Sequence, residues 1–442
     1  MADYSKTERD IAYKVLYECF EKGAFSNLSL KGQDVTDFVT AAVYGTITMS
    51  YSLDYIIKQA SGKDVSKMDG RTRTILRLGC WQLICSTKVP AYAAVDSSVK
   101  LAKKYAKNSS GLVNAVLHRV SEMDDKAKNL EVYKPEIALS LKPEIFGIFK
   151  KDYGKERAVS IGKALLSSSG TTIRYDSSYS KDQITADLRA NGIEVEESSF
   201  MDNCLKVVSS GSVAIGDSKA FKDGKIIVQG ESAMLASVVA NPQKNTRILD
   251  CCAAPGGKTT HLAQLTNDEA MIDALDINES RVELIKQNAK RLGIKSINAM
   301  KGDASTFGSN KAQYDLVTAD VPCSGLGLLA KKPDIRLQIT YDRIQELLPI
   351  QKKILDNAAR NVVPGGTLIY STCTINKAEN ENQVEEFLSE HEDFYPEDIT
   401  PFLPERLVLG DREELAKKGM ITLFPDTDKC DGFFIARLRR RE

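Results

Sequence analysis

Residues 248–262, ILDCCAAPGGKTTHL, constrain this chain more than any other stretch. Residues 247–250 read as a short buried strand ending in an acid, Pro255-Gly256-Gly257 as a tight turn, and Lys258 onward as the opening of a helix. A strand, a glycine turn and a helix in that order aim backbone N–H groups at whatever lies above the strand's carboxyl end. Glycines let that backbone approach a ligand closely. Two loops of similar appearance are excluded. A Walker A loop needs glycine five positions before the glycine of Gly-Lys-Thr, and that position is Cys252. The dinucleotide fingerprint G-x-G-x-x-G is absent. What remains is a nucleotide-like cofactor at a first βα turn, held by a loop of different make.

The following segments extend the pattern. Residues 271–277, MIDALDI, read as a second strand with Asp276 near its end, placed as an acid that hydrogen-bonds a ribose hydroxyl. An amphipathic helix follows, with Val282, Ile285, Ala289 and Leu292 on one stripe and Gly293 as its stop. AMKGD ends at Asp303, YDLVTAD at Asp320, TLIYSTC at Cys373, and FFIARL lies near the terminus. Acids and cysteines therefore gather where strands end, the ligand crevice of an open α/β sheet.

A chain of 442 residues suggests two or three domains. The hydrophobic content of 42% and charged content of 27% are those of a soluble globular protein, and no apolar run reaches the roughly 18 residues of a membrane span. The N-terminus, MADYSKTERD, is no signal peptide, so a cytoplasmic location and nine mostly free thiols are expected. No zinc-like Cys/His spacing occurs, and no metal is expected. Net charge is zero, but residues 71–120 carry nine Lys or Arg against one acid, Asp96. Such a stretch can recruit phosphate, although a solvated helical face is the commoner use.

Residues 1–130 are strand-poor and periodic, and predict a bundle of six or more helices. Ile11, Val15, Leu16 and Cys19 share one face; Ile75, Leu78 and Leu83 point inward in another helix; Trp81 and His118 read as packing residues. Residues 124–143 read as a polar linker. Residues 144–228 begin with a helix pair and continue as a small α/β domain. Residues 229–442 hold the sheet described above, with a Lys/Arg-rich loop, GLGLLAKKPDIRLQ, expected at an RNA entrance. The long helix after it should stop at Pro364-Gly365-Gly366; the tail from HEDFYPEDI to TDKCDGF reads as irregular, and RLRRRE as solvated.

CAAPGGKT, ADVPCSGLG and YSTCTI together resemble the signature stretches of RNA cytosine-C5 methyltransferases, the NOL1/NOP2/Sun family, and most of all its bacterial small-subunit rRNA branch. LRLGCWQL, VPAYAAVDSSVKLAKKY and GLVNAVLHRV resemble the NusB-type RNA-binding fold. The resemblance implies three parts: an all-α NusB-like bundle, a small α/β RNA-binding-like domain, and a Rossmann-like α/β methyltransferase domain. It implies S-adenosyl-L-methionine as cofactor and small-subunit rRNA as partner, and makes Lys100, Lys103, Lys104 and Lys107 candidate RNA contacts.

The chemistry needs a thiolate. Carbon 5 of cytosine is a poor nucleophile until a thiolate adds at carbon 6. Two cysteines follow different strands, in PCSG and in STCT, and spacing alone leaves their roles open. The resemblance implies Cys373 as nucleophile and Cys323 as the thiol that assists product release, with Asp320 on the base and near the cofactor. It also implies a cofactor set of Cys252, Ala253, Ala254, Pro255, Gly256, Gly257, Lys258, Asp276, Arg281, Asp303 and Asp320, with Asp250 bracing the turn. Val321 replaces the family's usual alanine, a mild departure. A tRNA-directed enzyme and a noncatalytic RNA-binding factor are the alternatives; the NusB-like half and the two intact cysteines count against them.

Overall fold

A computed structural model describes residues 7–33, 35–167, 170–211, 213–308 and 313–442. Residues 1–6, part of the N-terminal stretch read above as carrying no signal, lie outside them. The chain forms two compact units, one of Met1–Ser167 with Lys332–Tyr341, the other of Ser168–Lys331 with Asp342–Glu442.

The first unit is helical. Its helices start where the sequence supplies caps: Thr7 accepts from the Asp10 N–H ahead of Glu8–Lys22, and Asp69 accepts from Thr72 ahead of Gly70–Ile84. Ile11, Val15, Leu16, Ile75 and Leu78 are buried together with Leu53, Ile56 and Ile57, each contributing roughly 1.5–3 kcal/mol. Trp81 lies so close over Gly45 that a Cβ there would stand 2.3 Å from its Nε1. His118, by contrast, is exposed.

Three expectations are corrected in this unit. The polar stretch 124–143 is not a structureless linker but carries the short helices Asp125–Lys128, Leu130–Val132 and Pro135–Ala138. The helix pair Pro143–Tyr153 and Lys155–Ala164 belongs to the helical unit, so the line falls at Ser167 rather than within 130–144. The Lys/Arg-rich loop does not stand open as an RNA entrance along its length. Residues 332–341 join the helical unit, where Arg336 is buried and donates to the carbonyls of Ser140 and Leu165, and Asp334 accepts from the Ser26 N–H and hydroxyl. Buried carbonyls and a buried capping carboxylate attract those side chains more strongly than solvent does.

The second unit begins with a four-stranded antiparallel sheet of β1 (Thr171–Tyr175), β2 (Glu194–Glu197), β3 (Cys204–Ser209) and β4 (Ile226–Val228), ordered β2-β3-β1-β4. The larger sheet contains β5 (Arg247–Asp250), β6 (Met271–Asp276), β7 (Ile297–Lys301), β8 (Tyr314–Asp320), β9 (Val362–Thr372), β10 (Phe394–Pro396), β11 (Met420–Leu423) and β12 (Phe433–Arg440). Its order is β10-β12-β9-β8-β5-β6-β7, with β11 also on β12. Pairing is parallel from β7 through β9, and antiparallel at β12. Strand order reverses at the β5/β8 boundary, so the crevice lies beyond the carboxyl ends of these two strands.

The tail is therefore not irregular: β10 and β11 both pair with β12. Nor does the long helix Tyr341–Asn361 stop at the Pro-Gly-Gly turn; β9 starts at Val362 and runs through it. Within RLRRRE, Arg441 and Glu442 are exposed, but Arg437 is structural. Arg437 is 3% exposed and donates to the Val239 and Ala240 carbonyls at 2.8 Å, closing the C-terminus of the Glu231–Ala240 helix, and pairs with Glu397. Among the described residues no helix is long and apolar enough to cross a membrane.

Candidate active site

The turn after β5 is built by backbone and clamped by its neighbours. The Cys251 N–H donates to the Thr318 carbonyl on β8, and the Ala253 N–H to the Leu275 carbonyl on β6. Gly256 has φ +98°, and a Cβ there would press on the Ile285 backbone at 3.3 Å, so glycine is required. The helix Glu279–Arg291 holds the other side: Arg281 donates to the Ala254 carbonyl and Asn288 to the Pro255 carbonyl. Thr259, in the first turn of the Gly257–Leu265 helix, donates to Asp250 at 2.6 Å. Burial pushes the Asp250 carboxyl up to about 6, against the pull of that hydroxyl. Cys252 is half-buried, and burial pushes its thiol up, which suits packing rather than reactivity.

The acids at the strand ends differ in exposure. Asp276 is buried; its Oδ1 accepts from the Asn278 N–H and its Oδ2 lies 3.5 Å from Arg281 Nη1. Arg281 thus braces both the turn and Asp276. Asp303, two residues beyond β7, is exposed, with Oδ1 taking the N–H and hydroxyl of Ser305. S-Adenosylmethionine presents ribose hydroxyl and adenine amine donors. Two acceptor acids beside a glycine turn fit that donor set, although each already holds a backbone N–H.

At the switch point Lys258 Nζ meets Asp320 Oδ2 at 2.6 Å, and Ser371 donates to Asp320 Oδ1 at 3.0 Å. Burial alone would lower the Lys258 ammonium, but the Asp320 carboxylate outweighs it and the lysine is raised and charged. The structure brings the two cysteines together: Cys323 Sγ and Cys373 Sγ, beyond the ends of β8 and β9, lie 3.1 Å apart and both are free thiols. The Cys373 sulfur in hydrogen-bond contact, followed by burial, pushes the Cys323 thiol well above its usual range.

Sequence reasoning missed Glu379. It is fully buried, and its carboxylate accepts from the Ser324 N–H (2.7 Å), the Ser324 hydroxyl (2.6 Å), Gln351 (3.0 Å) and Asn376 (2.9 Å). The available signal was an acid six residues after Cys373 in a run rich in Asn and Glu, which reads as a solvated helix start. Of the candidate RNA lysines, Lys100 pairs with Asp96 and Lys104 with Asp10, while Lys103 and Lys107 are exposed.

Residues 237–439 match the family described as 16S rRNA methyltransferase RsmB/F, and residues 6–122 match the NusB family. The chain is 31% identical to the probable ribosomal RNA small subunit methyltransferase B of Bacillus subtilis (strain 168), over 98% of each chain. It is 35% identical to a protein of the same description from Synechocystis sp. (strain ATCC 27184 / PCC 6803 / Kazusa), over 91% of each. Among solved structures, the crystal structure of PH0851 superposes with a TM-score of 0.80 at 25% identity, over 99% of each chain.

Proposed function

Because the chain belongs to the RsmB/F family of 16S rRNA methyltransferases, we propose that it methylates carbon 5 of one cytosine in small-subunit rRNA through a transient bond between Cys373 and carbon 6. The observation that carries this reading is the pair of free thiols 3.1 Å apart, at adjacent strand ends. Asp320, on one of those strands, is joined to Lys258.

The target base has to leave its stack to reach Cys373. The Cys373 thiolate adds to carbon 6, and the electron pair of the 5,6 double bond moves toward N3 and the exocyclic amine. Asp320, fixed by Lys258 and Ser371, accepts a hydrogen bond from the exocyclic amine or from N3 as N3 becomes protonated. S-Adenosyl-L-methionine would be held by the 252–258 turn, with Asp276 toward its ribose and Asp303 toward its adenine, and would supply the electrophilic methyl group that carbon 5 takes from its sulfonium. Loss of the carbon-5 proton to water then restores the double bond and expels Cys373. Cys323, kept as a thiol, donates its S–H to the departing sulfur and so assists release.

Bisulfite sequencing of 16S rRNA from cells with and without the gene tests the reading. One cytosine protected only in the presence of the gene is expected; identical protection patterns would overturn it.

A further inference from the structure

The buried carboxylate of Glu379 joins the two loops that carry the cysteines. Ser324 directly follows Cys323, and Thr374 directly follows Cys373. Their hydroxyls meet at 2.8 Å, and the Asn376 N–H donates to Thr374 Oγ1. With Ser324 donating to Glu379, the chain has one direction: Asn376 N–H to Thr374, Thr374 to Ser324, Ser324 to Glu379. Gln351, from the long helix, adds a further tie, because its amide reaches both the Pro322 carbonyl and Glu379 Oε1. The Tyr370 hydroxyl holds the Glu379 carbonyl at 2.6 Å.

Two features set this carboxylate apart from a solvated acid. Each oxygen takes two donors, which uses the four acceptor sites of the carboxylate. Every one of those four donors is neutral.

We propose that Glu379 is a positioning residue for both cysteines: its carboxylate ties their loops into one frame and places a fixed negative charge next to Cys323. The charge makes a second anion at Cys323 unfavourable, in line with the upward push on that thiol, to which Glu379 contributes after Cys373 and burial. Cys323 then stays an S–H donor while Cys373 supplies the thiolate. This rests on the reading of the two cysteines given above, and the test is chosen to need neither RNA nor cofactor.

In the full chain, iodoacetamide alkylation of Cys323, followed by mass spectrometry across pH, reports its ionisation. Glu379→Gln should move the Cys323 midpoint down by roughly one pH unit, and Glu379→Asp, which keeps the charge, should restore most of it. A Cys323 midpoint that Glu379→Gln leaves in place would overturn the electrostatic claim. Ser324→Ala tests the frame without relying on Glu379→Gln to fold. It removes the hydroxyl between Thr374 and Glu379 and should raise the Cys323 alkylation rate several-fold at fixed pH. An unchanged rate would overturn the positioning claim. Loss of the bisulfite-protected cytosine would bear on the reaction class, not on these profiles.

Discussion

Asp250 ends β5 with its carboxyl buried among apolar strands and raised to about 6. Its folded value lies above the roughly 3.9 of an unfolded aspartate, so the folded chain binds more protons between these values and stability falls as pH rises from about 4 to 6. The cost at neutral pH is about 3 kcal/mol, two units at 1.36 kcal/mol each. Asp250→Asn should therefore stabilise the chain relative to wild type at pH 7 more than at pH 4, read as the difference in denaturation midpoints; a pH-independent difference would refute the buried charge. Asp250, Asp276 and Asp320 were legible because each follows an apolar run that can only be a buried strand. Glu379 and Arg437 were not. Local sequence gives each a charged neighbourhood, and their burial follows from partners far away in the chain, such as Ser324 and the Val239 carbonyl.

At the scale of elements, parallel buried strands announce themselves and edge strands do not. β5, β6 and β8 coincide with apolar runs, whereas β10 is three residues long, ends in Pro396 and exists only through pairing with β12. The Pro-Gly-Gly of β9 reads as a stop, yet sheet pairing carries the strand through it, with a register shift against β8. Arg174 shows how the small sheet and the glycine turn are joined. It is 1% exposed on β1, and its guanidinium donates to Gln229, the Gly257 carbonyl, Thr260 and Gln264, all uncharged. Arg174→Ala would leave several of these groups buried without a donor. It should cost about 3 kcal/mol, read as a lower urea midpoint for the transition that includes the Gly257–Leu265 helix. A loss below about 1 kcal/mol would mean that the small sheet is not anchored there.

For the molecule as a whole, Lys and Arg balance Asp and Glu at 60 each, so any affinity for RNA has to come from local cations. Lys100 and Lys104 are engaged with Asp96 and Asp10, which leaves Lys103 and Lys107 as the better phosphate contacts. Replacing both with Ala should reduce the slope of log affinity against log salt by about 1–2; an unaltered slope returns the stretch to a solvated face. The central claim concerns the order in which the two thiols act, and a denaturing gel of each variant mixed with rRNA and methyl-labelled cofactor tests it most directly. Cys323→Ala should accumulate a protein–RNA band that survives denaturation and carries the methyl label, because attack and transfer proceed while release is slow. Cys373→Ala, and the double variant with it, should form no such band. A labelled band in Cys373→Ala, with none in Cys323→Ala, would contradict the account and assign the nucleophile to Cys323.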